Sequence, residues 1–324
     1  MKIVLVQPPW VQVPGRFGET PPDAPMGHAY LAAYARERFG DAVSLRILDA
    51  VAEGLSEEGT RRAIVTEKPA IVGYTNVTAT APVVKRLALG VRDAVPDIVQ
   101  IAGGPHASVV PGDMIGPLDL AVRGEGEHTF AEIVERRLAG TNDWSGIAGT
   151  SYLRGGEPFD EPSRPYVKNL DELPFPARDL LPMHAYSHEY PTRARNRRFV
   201  TFFTARGCPW DCSFCCKHQV WGRYARFRTL DNVFAELEFL RAGYDPGFVF
   251  LRRYLYRQPQ ARHGILRAPS RRRFRFSVGV PDARGLPGRR PRTHHERRGV
   301  PRIATRRGIR QRRCVGSDPQ EDDS

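Results

Sequence analysis

"AIVGYTNVTATAPVVKRLALGVRDAVPDIVQIAGG", residues Ala70 to Gly104, decides the fold. It opens on a short apolar run, AIVGYT, that reads as a buried strand, and passes through a Thr-rich loop into a helix, APVVKRLALGVRDA. It closes on a second apolar run, IVQIAGG, that ends at two glycines. A strand, a helix and a strand at this spacing form a βαβ unit, whose strands lie parallel.

The same alternation runs outward in both directions. "KIVLVQPP" is a strand closed by prolines, and "GHAYLAAYARERFG" is a helix that stops at Gly40. "VSLRILDA" is the next strand. "SEEGTRRAIVTEK" is a helix with acids in its first turn, where they suit the dipole. After Gly104 come strand "DLAVRG" and helix "HTFAEIVERRLAG". The expected fold is α/β, a doubly wound parallel sheet over residues 1–140. In such sheets a ligand sits beyond the carboxyl ends of the strands. Those ends carry "QPPW", "TNVTAT", "GGPHAS" and "GEGEH". Gly103 and Gly104 would let backbone approach a large flat ligand, or they only shape turns; the local sequence leaves both open.

The chain has 324 residues and five cysteines, four of them between Cys208 and Cys216. Thiols so few and so clustered form no disulfide framework and fit a reducing compartment. The apolar run after Met1 is too short for a signal core, and no stretch approaches the ~18–20 apolar residues of a membrane span. The expectation is a cytoplasmic, non-membrane protein. The formal charge of +13 is unevenly held. After residue 250 there are 21 arginines, no lysine and 6 acidic residues; before it, acids slightly outnumber bases. Residues 141–198 are Pro-rich and read as a connector, 199–250 as the start of a second domain, and 251–324 as a disordered tail with too few apolar residues to bury a core.

The pieces "VLVQPPW", "PMGHAYLAAYARERFG", "RILDAVAEG", "IAGGPHAS" and "VRGEGEHTF", in that order, resemble the cobalamin-binding domain that precedes many radical S-adenosylmethionine enzymes. The connector's "LDELPFPARDLL" is similar to the family's as well. Family members that ligate cobalt through histidine carry D-x-H-x-x-G after the first strand. Here "DAVAEG" follows the second strand and has Val51 where the histidine would be. The resemblance therefore implies cobalamin bound without a protein histidine on cobalt, in contact with Thr75, Val77, Gly103, Gly104, Gly124 and Glu125. His28, His106 and His128 are candidate polar contacts, each more readily a loop or capping residue than a cobalt ligand.

"FVTFFTARG" delivers the cysteine loop from the end of a strand. Cys208, Cys212 and Cys215 follow as C-x3-C-x2-C. Three thiolates can hold three irons of a 4Fe–4S cluster and leave the fourth open to S-adenosylmethionine. Zinc completed by Cys216 and His218 is the competing assignment. "T-x-RGCP-x-x-C-x-FC" over Thr204–Cys215 resembles the radical S-adenosylmethionine signature, which implies that Phe214 backs the adenine ring. The family further implies a 5′-deoxyadenosyl radical, a small-molecule substrate and a reducing partner such as flavodoxin or ferredoxin. The first activity to expect is cobalamin-dependent methyl transfer to an unactivated carbon or phosphorus centre. Cyclisation or rearrangement on the same architecture, or a non-catalytic cobalamin-binding remnant, are the alternatives. Methylthiotransferases, which need three further amino-terminal cysteines, are disfavoured because residues 1–207 contain none.

The resemblance implies that residues 199–250 start a radical S-adenosylmethionine (β/α) partial barrel, in which "RYARFRTLDNVFAELEFL" supplies a helix with Asp231 as expected N-cap and "GFVF" the second strand. There the family pattern calls for F-x-D-D-x-F-T, and the chain has Leu251–Tyr256, LRRYLY. If one base is inserted before Leu251 and the segment is encoded by the synonymous choice CTT-CGA-CGA-TAC-CTT-TAC-C, reading one base later gives Phe-Asp-Asp-Thr-Phe-Thr. The same shift over Arg306–Cys314 permits Gly-Val-Glu-Ser-Gly-Ser-Asp, also typical of these barrels. Residues 251–324 are thus expected to be a frameshift product that leaves this chain inactive. Taken at face value, the arginines would bind nucleic acid through phosphates, but no nucleic-acid fold surrounds them, and no specific nucleic-acid partner is expected.

Overall fold

Ile3, Val4, Leu5 and Val6 are all fully buried, as a strand covered on both faces requires. They form β1 (Lys2–Gln7) of a seven-stranded sheet with β2 (Ser44–Asp49), β3 (Ile71–Thr75), β4 (Val99–Gly103), β5 (Leu120–Val122), β6 (Thr150–Arg154) and β7 (Glu157–Asp160), in the order β2-β1-β3-β4-β5-β6-β7. The computed structural model describes residues 1–9, 24–186, 199–210, 212–213, 215–244, 248–252 and 277–279, of which 199, 248–252 and 277–279 are described by backbone alone. All lie within one unit, Met1–Val280; a second, Pro281–Ser324, is outside the described residues.

β1 to β5 are parallel, and helices cover both faces. Alternate strand residues divide the core. Ile3 and Leu5 pack with α1 (Met26–Phe39) and α5 (Glu127–Leu138), through Ala29, Ala32, Phe130 and Ile133. Val4 and Val6 pack with α2 (Glu57–Glu67) and α3 (Ala81–Ala94), through Ile64, Val84, Leu87 and Val91. Ser56 caps α2 by accepting the Gly59 N–H at 3.1 Å, with Glu57 and Glu58 in the first turn.

The sheet runs past residue 140. β6 pairs antiparallel with β5, and β7 with β6, so part of the segment read as a connector is a hairpin closed by Gly155–Gly156. The missed signal is that Gly-Gly pair between two short alternating runs.

A second, three-stranded parallel sheet has the order β12-β11-β8, from β8 (Phe199–Phe203), β11 (Phe248–Arg252) and β12 (Ser277–Gly279). β11 is the strand read from GFVF, lengthened by Leu251 and Arg252, and β12 lies in the Arg-rich region that the sequence reading left without structure. α7 (Leu230–Tyr244) packs Val233, Phe234, Leu237 and Leu240 on Val200 and Phe202 of β8. Its cap is Thr229, whose Oγ1 accepts the Asn232 N–H at 3.3 Å; Asp231 instead lies in the first turn.

One buried polar pair bridges β3 and β4 and is tied on to α3. The Tyr74 hydroxyl donates to Gln100 Oε1 at 2.9 Å, and Gln100 Nε2 donates to the Ala88 carbonyl at 2.8 Å. Tyr74→Phe strands that buried acceptor, and is expected to cost about 1–3 kcal/mol, read as a lower urea midpoint at unchanged slope.

Candidate functional site

Strand order 2-1-3-4-5 puts the point of reversal between β1 and β3, and the crevice beyond their carboxyl ends is where doubly wound sheets bind ligands. Thr75 is opposite Gly103 in the β3–β4 ladder. The Asn76 N–H donates to the Gly103 carbonyl at 2.9 Å, and its own carbonyl accepts from His106 N–H at 3.3 Å. Gly104 has φ +95°, and a Cβ there would stand 2.9 Å from the Asn76 carbonyl and 3.0 Å from Thr75 Oγ1. Only glycine lets these two loops approach so closely. Ser108 Oγ ties the Gly104 carbonyl (2.9 Å) to the Gly124 N–H (3.0 Å). Thr75, Gly103, Gly104, Gly124 and the partly exposed Val77 therefore share one edge of the sheet. The buried Asn76 Nδ2 on that edge has no hydrogen-bond partner among the described residues. An edge of close-set glycines with an orphaned amide suits a large planar ligand rich in hydrogen-bonding groups.

The histidines divide. His106 is held between Thr78 Oγ1 (3.2 Å) and Asp113 Oδ2 (2.8 Å), with Lys85 on the other Asp113 oxygen. His128 stacks on Tyr34 with ring centroids 5.1 Å apart. His28 is buried, its Nε2 has no partner, and burial pushes its pKa down to about 4. The loop with Val51 is closed by Asp49, whose Oδ1 accepts the Val51 and Ala52 N–H groups and whose Oδ2 accepts the Tyr186 hydroxyl.

The cysteine loop is fastened at its base. β9 (Ala205–Arg206) pairs antiparallel with β10 (Arg226–Phe227), and the Cys208 N–H donates to the Gly222 carbonyl at 3.0 Å. Gly207, at φ +88°, approaches the other limb so closely that a Cβ would be 1.9 Å from the Tyr224 carbonyl. The Cys215 N–H donates to the Cys212 carbonyl at 3.0 Å. Cys208 is buried, Cys215 half-buried, and Cys212 and Cys216 exposed; none is in a disulfide. Phe214 lies outside the described residues. Among the described residues no three His, Cys, Asp or Glu side chains converge tightly enough to hold a metal ion. What fits a cluster is the donor set, three thiols on one loop with its first member shielded from water.

This loop rests on the ligand edge of the first sheet. α6 (Lys217–Trp221) packs against α4 (Pro105–Val109), which follows Gly104. Tyr166 donates its hydroxyl to the His218 carbonyl at 3.1 Å, its ring lying against Gly124 and Gly222. Glu125 has a structural task here. Its oxygens accept from Arg226 (2.7 and 3.1 Å), Arg206 (3.2 Å) and the Val167 N–H (2.8 Å), which leaves no side for a ligand. Arg206 also donates to Glu127 at 2.6 Å, and its guanidinium is 4.9 Å from the ring centroids of both Tyr30 and Trp221. Burial alone would raise the Glu127 pKa; the adjacent Arg206 charge overrides it and holds the carboxyl below its ordinary value. Sequence reasoning missed this cluster. Its one trace is an arginine between an apolar strand and a cysteine, facing a loop with two glutamates. Tyr30, Leu173, Phe175, Phe203, Arg206 and Arg228 border a shallow surface depression beside it.

Comparison with known proteins gives a consistent result. Residues 23–134 match the family model of the B12 binding domain. The chain is similar to the cobalamin-dependent radical S-adenosylmethionine methyltransferase TokK of Streptomyces tokunonensis, 33% identical over 129 residues that cover 39% of this chain and 18% of that protein. It is 36% identical over 251 residues to an uncharacterized methyltransferase of Pyrococcus horikoshii, a match covering 75% of this chain and 51% of that protein. It is 32% identical over 231 residues to the anaerobic magnesium-protoporphyrin IX monomethyl ester cyclase of Rubrivivax gelatinosus, covering 69% of this chain and 40% of that protein. The chain thus spans about half, or less, of the length of these relatives. Among solved structures, the radical S-adenosylmethionine methyltransferase TsrM of Kitasatospora setae, with cobalamin and a [4Fe-4S] cluster bound, shares the fold. The TM-score is 0.55 at 19% identity, over 77% of this chain and 47% of that one. Among the described residues no helix is long and apolar enough to cross a membrane.

Two outcomes are expected. Gly207→Ala forces a side chain onto backbone at positive φ, and should cost at least about 1–3 kcal/mol and loosen the loop, seen as faster proteolysis between residues 204 and 227. His28 takes up its proton more readily unfolded (about 6.5) than folded (about 4), so folding stability should fall as pH drops from 6.5 to 4, by about 1.4 kcal/mol per unit. His28→Gln should flatten that slope in urea titrations at each pH.

Proposed function

We propose that this chain binds a corrinoid on the carboxyl edge of its seven-stranded sheet and a 4Fe–4S cluster through Cys208, Cys212 and Cys215, with S-adenosylmethionine, and that the protein is a cobalamin-dependent radical methyltransferase. The observation that carries this reading is the placement of the cysteine loop directly on the ligand edge of the B12-binding sheet, α6 against α4 and Tyr166 between Gly124 and Gly222. Two centres that must exchange a methyl group and an electron need such adjacency.

When bound, these groups supply one-electron chemistry and a transferable methyl. The protein's own residues position and shield. Gly104 and Gly103 keep the corrinoid edge open to close approach, Thr75 and Val77 border it, and the Asn76 amide offers a donor. Gly207 turns the chain sharply into Cys208, and Phe203, Trp221 and Tyr30 form an apolar flank, with ring separations of 6.3 and 6.5 Å, that excludes water next to the loop. Phe214 is assigned to the adenine ring from its position in the motif.

The substrate is a small molecule, and electrons come from a flavodoxin- or ferredoxin-like reductant. Cyclase relatives favour ring formation as the second reading. The domain division is a corrinoid-binding domain over 1–140, here extended by the β6–β7 hairpin, then a connector, the start of the barrel from 199 to 250, and a continuation from 251 in the wrong frame. The last point rests on synonymous codons that permit family-like stretches in the shifted frame at both Leu251–Tyr256 and Arg306–Cys314; sequencing a locus with no extra base near codon 251 removes it.

Anaerobic reconstitution with iron, sulfide and hydroxocobalamin tests the reading. The 324-residue chain should take up about four irons and one corrinoid, and Cys208→Ala, Cys212→Ala or Cys215→Ala should abolish cluster absorption while leaving corrinoid uptake intact. Stoichiometric zinc, or iron retained in all three variants, overturns the assignment. On a frame-restored version, label from the methyl of S-adenosylmethionine should appear in product for methyl transfer and stay out of it for cyclisation, whereas the 324-residue chain should form little or no 5′-deoxyadenosine.

A further inference from the structure

Arg206 is 5% exposed, and its guanidinium is paired with two carboxylates and flanked by two aromatic rings. Its two terminal nitrogens reach Glu125 at 3.2 Å and Glu127 at 2.6 Å, both on the loop and first turn after β5. Its flat faces meet Tyr30 of α1 and Trp221 of α6. Glu125, Glu127 and Tyr30 belong to the corrinoid-binding domain, whereas Arg206, Trp221 and Arg226 belong to the cysteine segment. Arg226 closes the group by a two-pronged bond to Glu125 and a further bond to the Trp221 carbonyl at 2.6 Å. Two arginines and two glutamates make the group neutral as a whole. Arg206 is also two residues before Cys208, so their Cα atoms lie within ~7 Å.

Resting on the assignment of Cys208, Cys212 and Cys215 as cluster ligands, we propose that Arg206 is a positioning residue for the cluster. It anchors the first ligand cysteine to the corrinoid-binding domain, so that the loop takes its ligand geometry only when docked there, and its charge with that of Glu127 sets the local field at the cluster. A lysine cannot reproduce both the fork and the stacked plane. The field argument gives opposite signs for the two partners. Loss of the Arg206 charge leaves an excess negative charge and disfavours the reduced cluster; loss of the Glu127 charge does the reverse.

The experiment is anaerobic iron–sulfide reconstitution of the full chain and of Arg206→Met, Arg206→Lys and Glu127→Gln, each scored for iron per chain, hydroxocobalamin uptake, and the midpoint potential of the cluster by EPR-monitored titration. Arg206→Met should lose several-fold in iron content at unchanged corrinoid uptake, with its residual cluster shifted to a more negative potential. Arg206→Lys should recover part of the iron content. Glu127→Gln should keep its cluster and shift the potential positive. Variants that all load like the parent, at one common potential, overturn the proposal while leaving the cysteine assignment standing. A parent chain that takes up no cluster overturns the cysteine assignment and this proposal with it. Should Arg206→Met also lose corrinoid binding, Glu127→Gln decides through its potential: a positive shift upholds the proposal and an unchanged value overturns it.

Discussion

A buried guanidinium between two glutamates and two aromatic rings holds this molecule's halves together. Removing one member of a buried ion pair typically costs about 3–5 kcal/mol, because the other is left charged and dry. Arg206 cannot therefore leave Glu125 and Glu127 cheaply, and the strand that carries it cannot drift from the loop after β5. Since Arg206 leads straight through Gly207 into Cys208, the same constraint fixes where the cysteine loop begins. A second buried group repeats the device further along. Glu236 of α7 lies between Arg178 of the connector, at 2.6 Å as an ion pair, and Arg228, which also donates to the Phe203 carbonyl at 2.9 Å. Together the two groups tie sheet, connector and barrel start into one unit.

Much of the fold was legible because it follows from periodicity. The apolar runs at Lys2–Gln7, Ile71–Thr75 and Val99–Gly103 and the helices between them are local signals, and their parallel order follows from the lengths of the crossovers. The β6–β7 hairpin escaped because its strands are short and partly polar, so prolines nearby outweighed the Gly-Gly turn. The cap of α7 was misplaced by two residues because Asp and Thr both cap well, and only backbone geometry chooses between them.

The candidate site was legible in its covalent parts only. Spacing marks the three cysteines, and glycines mark the edge proposed for the corrinoid. Glu125 was grouped with that edge because it follows Gly124 in the chain; the fold turns its side chain inward to Arg206 and Arg226, residues about 80 and 100 positions away. No local pattern announces such a pairing, since what makes it is tertiary burial. Asn76 is the converse case, an ordinary loop residue in the sequence whose burial without a partner for Nδ2 gives it significance.

Backbone amide exchange on the cofactor-free chain tests most directly whether the cysteine segment is held on the ligand edge of the first sheet by the protein alone. The account predicts that amides at the base of the loop, including Cys208 and Arg228, exchange slowly and in step with those of Gly124 to Glu127. Exchange of the whole 205–228 segment at unprotected rates, while β1 to β5 remain protected, would contradict it.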